Sequence, residues 1–552
     1  MNELEGLFPY AFDPKYRKPV AYFSMEFAID QSLKIYSGGL GFLAGSHMRS
    51  AYELKQNVVG IGILWKYGYY DQMRNRDGTM RADYIQKDYY FLEDTKIRFT
   101  IEIHRHPVHV KVWLLRPEIF GTAPVFLLST DMPENDFLAQ TICHRLYDNH
   151  ESARVAQSIL LGVGGGRLLD ILGRETEVYH LNEGHALPLG FYLLNKFRED
   201  MTQVRKRLVF TTHTPEPAGN EVHQTSTLEV MGFFQGASPA MISWLAESDT
   251  SFNYTLAALR MARKANGVSE LHGHVSRDMW KGQRGCCPIV SITNAQNKTF
   301  WMDQRLAECH ANKDAEALLA RKRELKTELF RVVADQTGRH FQEDILTIVW
   351  SRRFAAYKRA DLLLRDLSRF RRLVCRQDTP VQIIWAGKPY PEDHRSIEIF
   401  NQIHFHTKEF ANCAVLTGYE IALSGILKKG SDVWINNPRM YREASGTSGM
   451  TAAMNASLNL SIADGWIPEF IRAGINGFTI EHASADSATD GRDDYESDSL
   501  YRTLDEQVLP TYYRNPKKWA SMIMQSMTDI LPRFDSGRMA DEYYRTMYEE
   551  TE

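Results

Sequence analysis

Along the chain, short apolar runs of β-favouring residues alternate with stretches whose apolar positions recur at helical spacing. In the first half the runs are PVAYFSMEF (19–27), VYHLN (178–182) and RLVFTTH (207–213). In the second half they are ILTIVWSRRF (345–354), PVQIIWAGK (380–388), CAVLTG (413–418) and SDVWINN (431–437). Between them lie helical patterns such as DAEALLARKRELKTELFRVVADQTG, 314–338. Strand alternating with helix predicts an α/β protein built on parallel sheets. Several runs end in polar or glycine-bearing loops, and such sheets meet their ligands at the carboxyl ends of the strands.

The chain has 552 residues, more than one hydrophobic core ordinarily serves, so at least two domains are expected. A boundary falls near 288–300, where PIVSITNAQNKTFW closes the first block ahead of the long helical pattern. This divides the chain into 1–295, 296–485 and 486–552, the last a linker with C-terminal helices packing back across the domains. The segment ASADSATDGRDDYESDSLY (483–501) is polar and helix-poor, and a surface loop or linker is expected there.

Hydrophobic residues make up 43% and charged residues 24%, with a formal net charge of −4. That balance suits a folded enzyme and, without a long basic or acidic block, speaks against a nucleic-acid or membrane-surface binder. The N-terminal residues lack a basic start followed by an apolar run, and no segment has the roughly 18 apolar residues of a membrane span. A cytoplasmic location is expected, and six scattered cysteines with no CxxC pair fit reduced thiols.

Five stretches carry candidate chemistry. IYSGGLGFLAGSH (35–47) follows the first strand; Gly38, Gly39 and Gly41 let backbone approach a ligand, or simply make a tight turn. RRFAAYKR (352–359) holds Arg353 and Lys358, a guanidinium and an ammonium able to converge on a phosphate, or else a solvated basic face. HLNEGH (180–185) and TTHTPEPAGNEVH (211–223) put histidines at strand ends, where sugar contact, proton transfer or a structural role all suit them. The spacing of His180, Glu183 and His185 is not that of HExxH, and no metal site is expected. In YREASGTSGM (441–450), Glu443 opens a run whose N–H groups at Ser445, Gly446 and Thr447 form either an oxyanion nest or a capped helix start.

Together these segments resemble the α-glucan phosphorylase family, in its short bacterial and archaeal branch, over about residues 18–485. AYFSMEFAIDQSLKIYSGGLGFLAG, GILWKYGYYDQ, HLNEGHA, FTTHTPEPAG, NGVSELHGHVSRDMW, RRFAAYKRADLL, GSDVWINNPR and EASGTSGM carry the likeness. It implies a GT-B fold, two Rossmann-like domains facing an interdomain cleft, and a retaining hexosyltransferase acting on an α-glucan. It also implies roles. His213 faces the donor glucose, with Asn294 near its 4- and 6-hydroxyls. Glu443, helped by Tyr357, takes the 2- and 3-hydroxyls above Ser445, Gly446 and Thr447. Arg353 and Lys358 hold phosphate opposite the loop Gly38, Gly39, Leu40, while Glu183 and His185 line the glucan side. The resemblance further implies a homodimer, for which the sequence carries no interface signature.

The chain departs from the family where the family places the lysine that binds pyridoxal phosphate, eight residues after the glutamate. Here that position is Thr451, whose hydroxyl cannot form an imine. The usual TNGV or TNGI also becomes TNAQ, with Ala295 and Gln296. Related retaining synthases of this fold keep the arginine–lysine pair and bind a nucleoside diphosphate sugar. Thr451 falls where such enzymes contact the nucleotide. The sequence reading therefore favours a nucleotide-activated glucose donor and no covalent cofactor. A phosphorylase with non-covalent or no pyridoxal phosphate, and a catalytically silent glucan-binding homologue, remain the alternatives.

Overall fold

The computed structural model describes residues 6–246, 248–484 and 489–549. Contacts divide them into two units. The first comprises residues up to Tyr70, Tyr84–Asn294 and the chain from Ser536; the second comprises Asp71–Asp83 and Ala295–Asp535.

The apolar runs become strands, buried along their length because helices cover both faces of a parallel sheet. In the first unit the sheet strands are β1 (Val20–Phe23), β2 (Val58–Ile63), β3 (Glu93–Ile103), β4 (His106–Leu115), β5 (Val125–Ser129), β6 (Val178–Asn182), β7 (Leu208–Thr211), β8 (Lys264–Gly267) and β9 (Ile289–Ser291). They form one sheet in the order β9-β8-β7-β6-β1-β2-β5-β4-β3. All neighbours are parallel as far as β5; β4 and β3 are antiparallel additions at one edge. Helix α1 (Gly39–Glu53) follows β1.

The second unit carries β10 (Leu346–Ser351), β11 (Val381–Ala386), β12 (Cys413–Leu416), β13 (Val433–Asn436), β14 (Leu458–Ile462) and β15 (Gly477–Ile480), all parallel, in the order β12-β11-β10-β13-β14-β15. This is the doubly wound order, which reverses direction between β10 and β13. The long helical pattern forms α2 (Ala315–Thr337), started by the Asp314 side chain on the Ala317 N–H and stopped at left-handed Gly338. Helices α3 (His394–Thr407), α4 (Ser448–Met454) and α5 (Thr489–Thr503) complete the elements used below. Leu329 and Val333 of α2 pack with Val349, Ile384, Leu416, Trp434 and Ala452 into this unit's core.

One sequence expectation changes. The segment 483–501 is largely helix α5, apart from 485–488, which lie outside the described residues. Its polar residues face buried partners: Asp493 and Glu496 pair with Arg359, and the Tyr501 hydroxyl donates to the Leu363 carbonyl at 2.5 Å. Tertiary contacts thus override a poor local helix propensity. Of the chain after 485, residues 489–535 belong to the second unit and the chain from Ser536 to the first. Gln296, one of the departures from TNGV, donates its backbone N–H to the Phe534 carbonyl.

A buried ion pair ties α2 to the sheet. Lys326 Nζ lies 2.6 Å from Asp432 Oδ2, the atom that also accepts the Thr347 N–H at 2.8 Å. Removing one partner of a buried pair leaves the other charge uncompensated. Asp432→Ala should therefore lower unfolding free energy by about 3–5 kcal/mol, read from urea denaturation, with Asp432→Asn falling between it and the parent protein.

Candidate functional site

In the second unit the candidate residues lie mainly after β10 and β13, where strand order reverses; in the first the glycine loop follows β1, and Glu183 and His185 follow β6, at the reversal, while His213 follows β7 and Asn294 follows β9.

In the second unit, the loop after β10 brings Arg352, Arg353, Tyr357 and Lys358 to the loop after β13, which carries Glu443. Arg352 Nη2 donates to Glu443 Oε2 at 2.6 Å, and Lys358 Nζ lies 3.4 Å from the same oxygen. Lys358 Nζ also stands 5.4 Å from the centre of the Tyr357 ring. Arg353 is exposed and reaches the Tyr357 hydroxyl. Burial lowers Lys358 to about 7, and Arg352 adds to the effect while Glu443 opposes it. For Glu443, burial would raise the carboxyl, but Arg352 and then Lys358 more than offset it and hold it below its ordinary value. Arg352 Nη1 and Ser445 Oγ are buried with no hydrogen-bond partner among the described residues. The site thus combines a compensated carboxylate with unspent cationic and hydroxyl donors, an arrangement suited to a doubly charged anion beside a hydroxylated ligand.

Geometry at Glu443 is set from below. Asp464 Oδ2 accepts the N–H groups of Arg442 at 3.1 Å and Glu443 at 2.9 Å. Burial raises Asp464 to about 6, against those backbone donors. Gly446 has φ +89°, and a Cβ there would lie 3.2 Å from Arg352 Nη2, so a side chain would crowd the guanidinium. Ser445, Gly446 and Thr447 have no acceptor for their N–H groups among the described residues. Thr447 caps α4 without a side-chain bond. Thr451 is fully buried on α4, and its hydroxyl donates back to the Ser448 carbonyl at 3.0 Å.

In the first unit, Glu26 organises the glycine loop. Its carboxylate accepts the Ser37 N–H at 2.6 Å, the Gly38 N–H at 3.1 Å and the Tyr147 hydroxyl at 2.8 Å. Gly38 therefore spends its N–H internally, and those of Gly39 and Leu40 open the first turn of α1. Gly41 is required by contact, since a Cβ would lie 2.6 Å from Glu26 Oε2. Across the reversal, Asn182 Nδ2 donates to Ser24 Oγ at 3.0 Å, and Asn182 Oδ1 faces His213 Nε2 at 2.8 Å. An amide oxygen only accepts, so His213 Nε2 carries the proton and Nδ1 is left as an acceptor. Burial lowers His213 to about 3, helped by His272 and His185, so the ring is neutral.

Glu183, at φ +71°, accepts the His213 N–H at 2.7 Å. Burial raises its carboxyl above the ordinary range, against His185 and its backbone donors. The His185 ring packs 5.6 Å from Tyr147, with Nδ1 buried and unpartnered. Asn294 donates its N–H to the Val268 carbonyl at 3.0 Å and keeps a buried, unpartnered Oδ1. His180 is spent inside the unit, 2.7 Å from both the Tyr548 hydroxyl and Thr211 Oγ1. No group of three or more metal-type side chains occurs among the described residues.

The sequence reading did not single out Arg352, Asp464 or Glu26. Arg352 continues the strand register past β10, its N–H bonded to Ala386, and so points inward while Arg353 points out. That alternation was the available signal. Asp464 lies 21 residues beyond Glu443 (464 less 443) and has no local pattern to mark it.

These features define an α/β protein built largely on parallel sheets. Residues 292–474 match the family described as Carbohydrate phosphorylase. The chain is 34% identical to the maltodextrin phosphorylase of Thermococcus litoralis, over 97% of this chain and 71% of that protein. It is 30% identical to the glycogen phosphorylase of Aquifex aeolicus, over 97% of this chain and 87% of that protein. A Methanocaldococcus jannaschii protein described as uncharacterized is 45% identical over 96% of this chain and all of its own length. The chain belongs to the carbohydrate phosphorylase family. No helix among the described residues is long and apolar enough to cross a membrane.

Because Lys358 titrates at about 7, its positive charge is present below that pH and lost above it. Sulfate, whose charge is constant over this range, should bind progressively more weakly as pH rises through about 7. Calorimetry should also find that Lys358→Met binds sulfate more weakly, with that pH dependence removed.

Proposed function

We propose that the protein transfers glucosyl units between an α-glucan and inorganic phosphate. The observation that carries this reading is the Arg352–Glu443–Lys358 cluster with its unspent donors, and the names of the relatives support it. Arg352, Arg353 and Lys358 would hold phosphate, and Glu443 would accept from sugar hydroxyls. Neutral His213 would contact the glucose near Asn294. In the degradative direction a phosphate oxygen bonds to C1 as the C1–O4 glycosidic bond breaks, and the phosphate's proton passes to the departing 4-oxygen. Charge developing at C1 and on phosphate would be stabilised by Glu443 and the cations in a water-poor site.

Covalent pyridoxal phosphate does not fit the residues present. Thr451 has no amine, and its hydroxyl is committed to Ser448. Among nearby buried lysines, Lys428 Nζ stacks 3.9 Å from the centre of the Trp301 ring, while Lys322 donates to the Lys429 and Asn455 carbonyls. No step is routed through that cofactor. The loss of the lysine, with Arg352 Nη1 and Ser445 Oγ unspent, favours as a second reading a nucleotide-activated glucose donor, whose second phosphate would take up those donors.

The two readings separate experimentally. Maltodextrin with phosphate should yield glucose 1-phosphate, with Arg352→Ala lowering kcat/KM by at least about 100-fold. Turnover absent, together with a rise in Tm on adding UDP-, ADP- or GDP-glucose, would replace the first reading by the second. Stabilisation by glucan alone, without turnover, would leave a binding protein. The Thr451→Lys variant with added pyridoxal phosphate should develop an imine absorbance under the first reading; weakened sugar-nucleotide binding without it would favour the second.

A further inference from the structure

A cavity of about 270 Å³ opens beside the turn that precedes Arg359, wholly within the second unit. None of Arg352, Arg353, Tyr357, Lys358 or Glu443 lines it, so it is separate from the anion site above. Four arginines reach it: Arg359, Arg365, Arg395 and Arg439. Two are neutralised in place, since Arg359 pairs with Asp493 and Glu496, and Arg365 with Asp494 and Asp490. Arg439 shares Asp493 through Nη2 at 2.6 Å, yet its Nε is buried with no acceptor among the described residues. Arg395, in the first turn of α3, has no side-chain partner among the described residues. The Asp361 carboxylate, also in the lining, has none either. Between these groups the wall is apolar, formed by Leu362, Ile399 and Ile403.

Arg439 Nε, buried without an acceptor among the described residues, calls for an anion; the exposed Arg395 guanidinium is free to add to its binding, and the half-buried Asp361 carboxylate is able to accept from a hydroxyl. The apolar strip offers contact to a carbon skeleton, and the volume limits the ligand to a small one. We propose that this cavity is a second ligand site that takes a small sugar phosphate. The phosphate is held by Arg395 and Arg439 Nε, and sugar hydroxyls donate to Asp361. The walls are also the roots of the two loops bearing Lys358 and Glu443. Arg359 donates to the carbonyls of Asn437 and Pro438 at 3.0 and 2.9 Å, and the Arg439 N–H donates to the Tyr357 carbonyl at 2.8 Å. A ligand here bears on the placement of both loops, so the site is suited to an effector. This inference does not depend on which reaction the protein performs.

The test is calorimetric titration with ribose 5-phosphate, using ribose and sulfate for comparison. Ribose 5-phosphate should bind the parent protein and the Lys358→Met variant within about twofold of each other. Arg395→Ala should weaken it about tenfold or more, the loss of one charge-assisted contact. Asp361→Asn should weaken ribose 5-phosphate while leaving sulfate unchanged. Absence of binding, or binding lost in Lys358→Met and kept in Arg395→Ala, would overturn the proposal by assigning all anion binding to the first site. Equal affinity for sulfate and ribose 5-phosphate would overturn the assignment to a sugar phosphate.

Discussion

The anion-facing half of this protein depends on the fully enclosed guanidinium of Arg359. It is 3% exposed, meets two carboxylates on α5, and donates to two carbonyls in the segment leading from β13 to Glu443. One side chain therefore fastens three pieces of chain: its own loop after β10, the loop after β13, and a helix of the C-terminal region. An arginine suits the position because its planar fork presents several donors at once and remains charged when buried. Arg352 and Lys358 belong to the first of these loops and Glu443 to the second, so without that fastening the two cations would lose the carboxylate that compensates them. With it, they are held around Glu443 at distances where a carboxylate and two cations compensate one another.

The two sheets solve the same problem with opposite charge. At the reversal in the second unit, cations dominate and a carboxylate tempers them. At the reversal in the first, the Glu26 carboxylate sits among backbone N–H groups at the start of α1, and His213, facing Asn182, is neutral. The first unit thus offers hydrogen-bonding groups of little net charge, suited to hydroxyls, while the second offers the charged ones. Burial is the common cause of the shifted acidities, disfavouring the charged form of His213 and Lys358 alike.

Much of the framework was legible because buried parallel strands leave unbroken apolar runs, and each quoted run contains a strand. The long helix 314–338 was equally plain, from its Asp cap and Gly stop. Helix α5 was hidden because its stability lies in partners more than a hundred residues away, which no local composition reports. The site was readable by loop and less so by atom. The loops named Glu443 and Lys358, and the arginine that touches Glu443 is Arg352, one place before the Arg353 singled out for phosphate. That choice is made by strand register, which a run of adjacent arginines conceals.

The chain's threading sets the order in which the first unit can be finished. Its sheet draws strands from residues 20 to 291, yet the aromatic packing beneath β6 includes Tyr543, Tyr544 and Tyr548 near the other end of the chain. During synthesis the first unit must wait, with the His180 side of its core uncovered, while the second is made in full. The hairpin Asp71–Asp83, made early, meanwhile awaits its own partners, since Gln72 and Arg74 bond to the carbonyls of Gly387 and Val415. Each unit thus holds a segment whose docking closes a loop of several hundred residues. The entropy of that closure grows only slowly with loop length, but such distant contacts form late and slow the approach to the folded state.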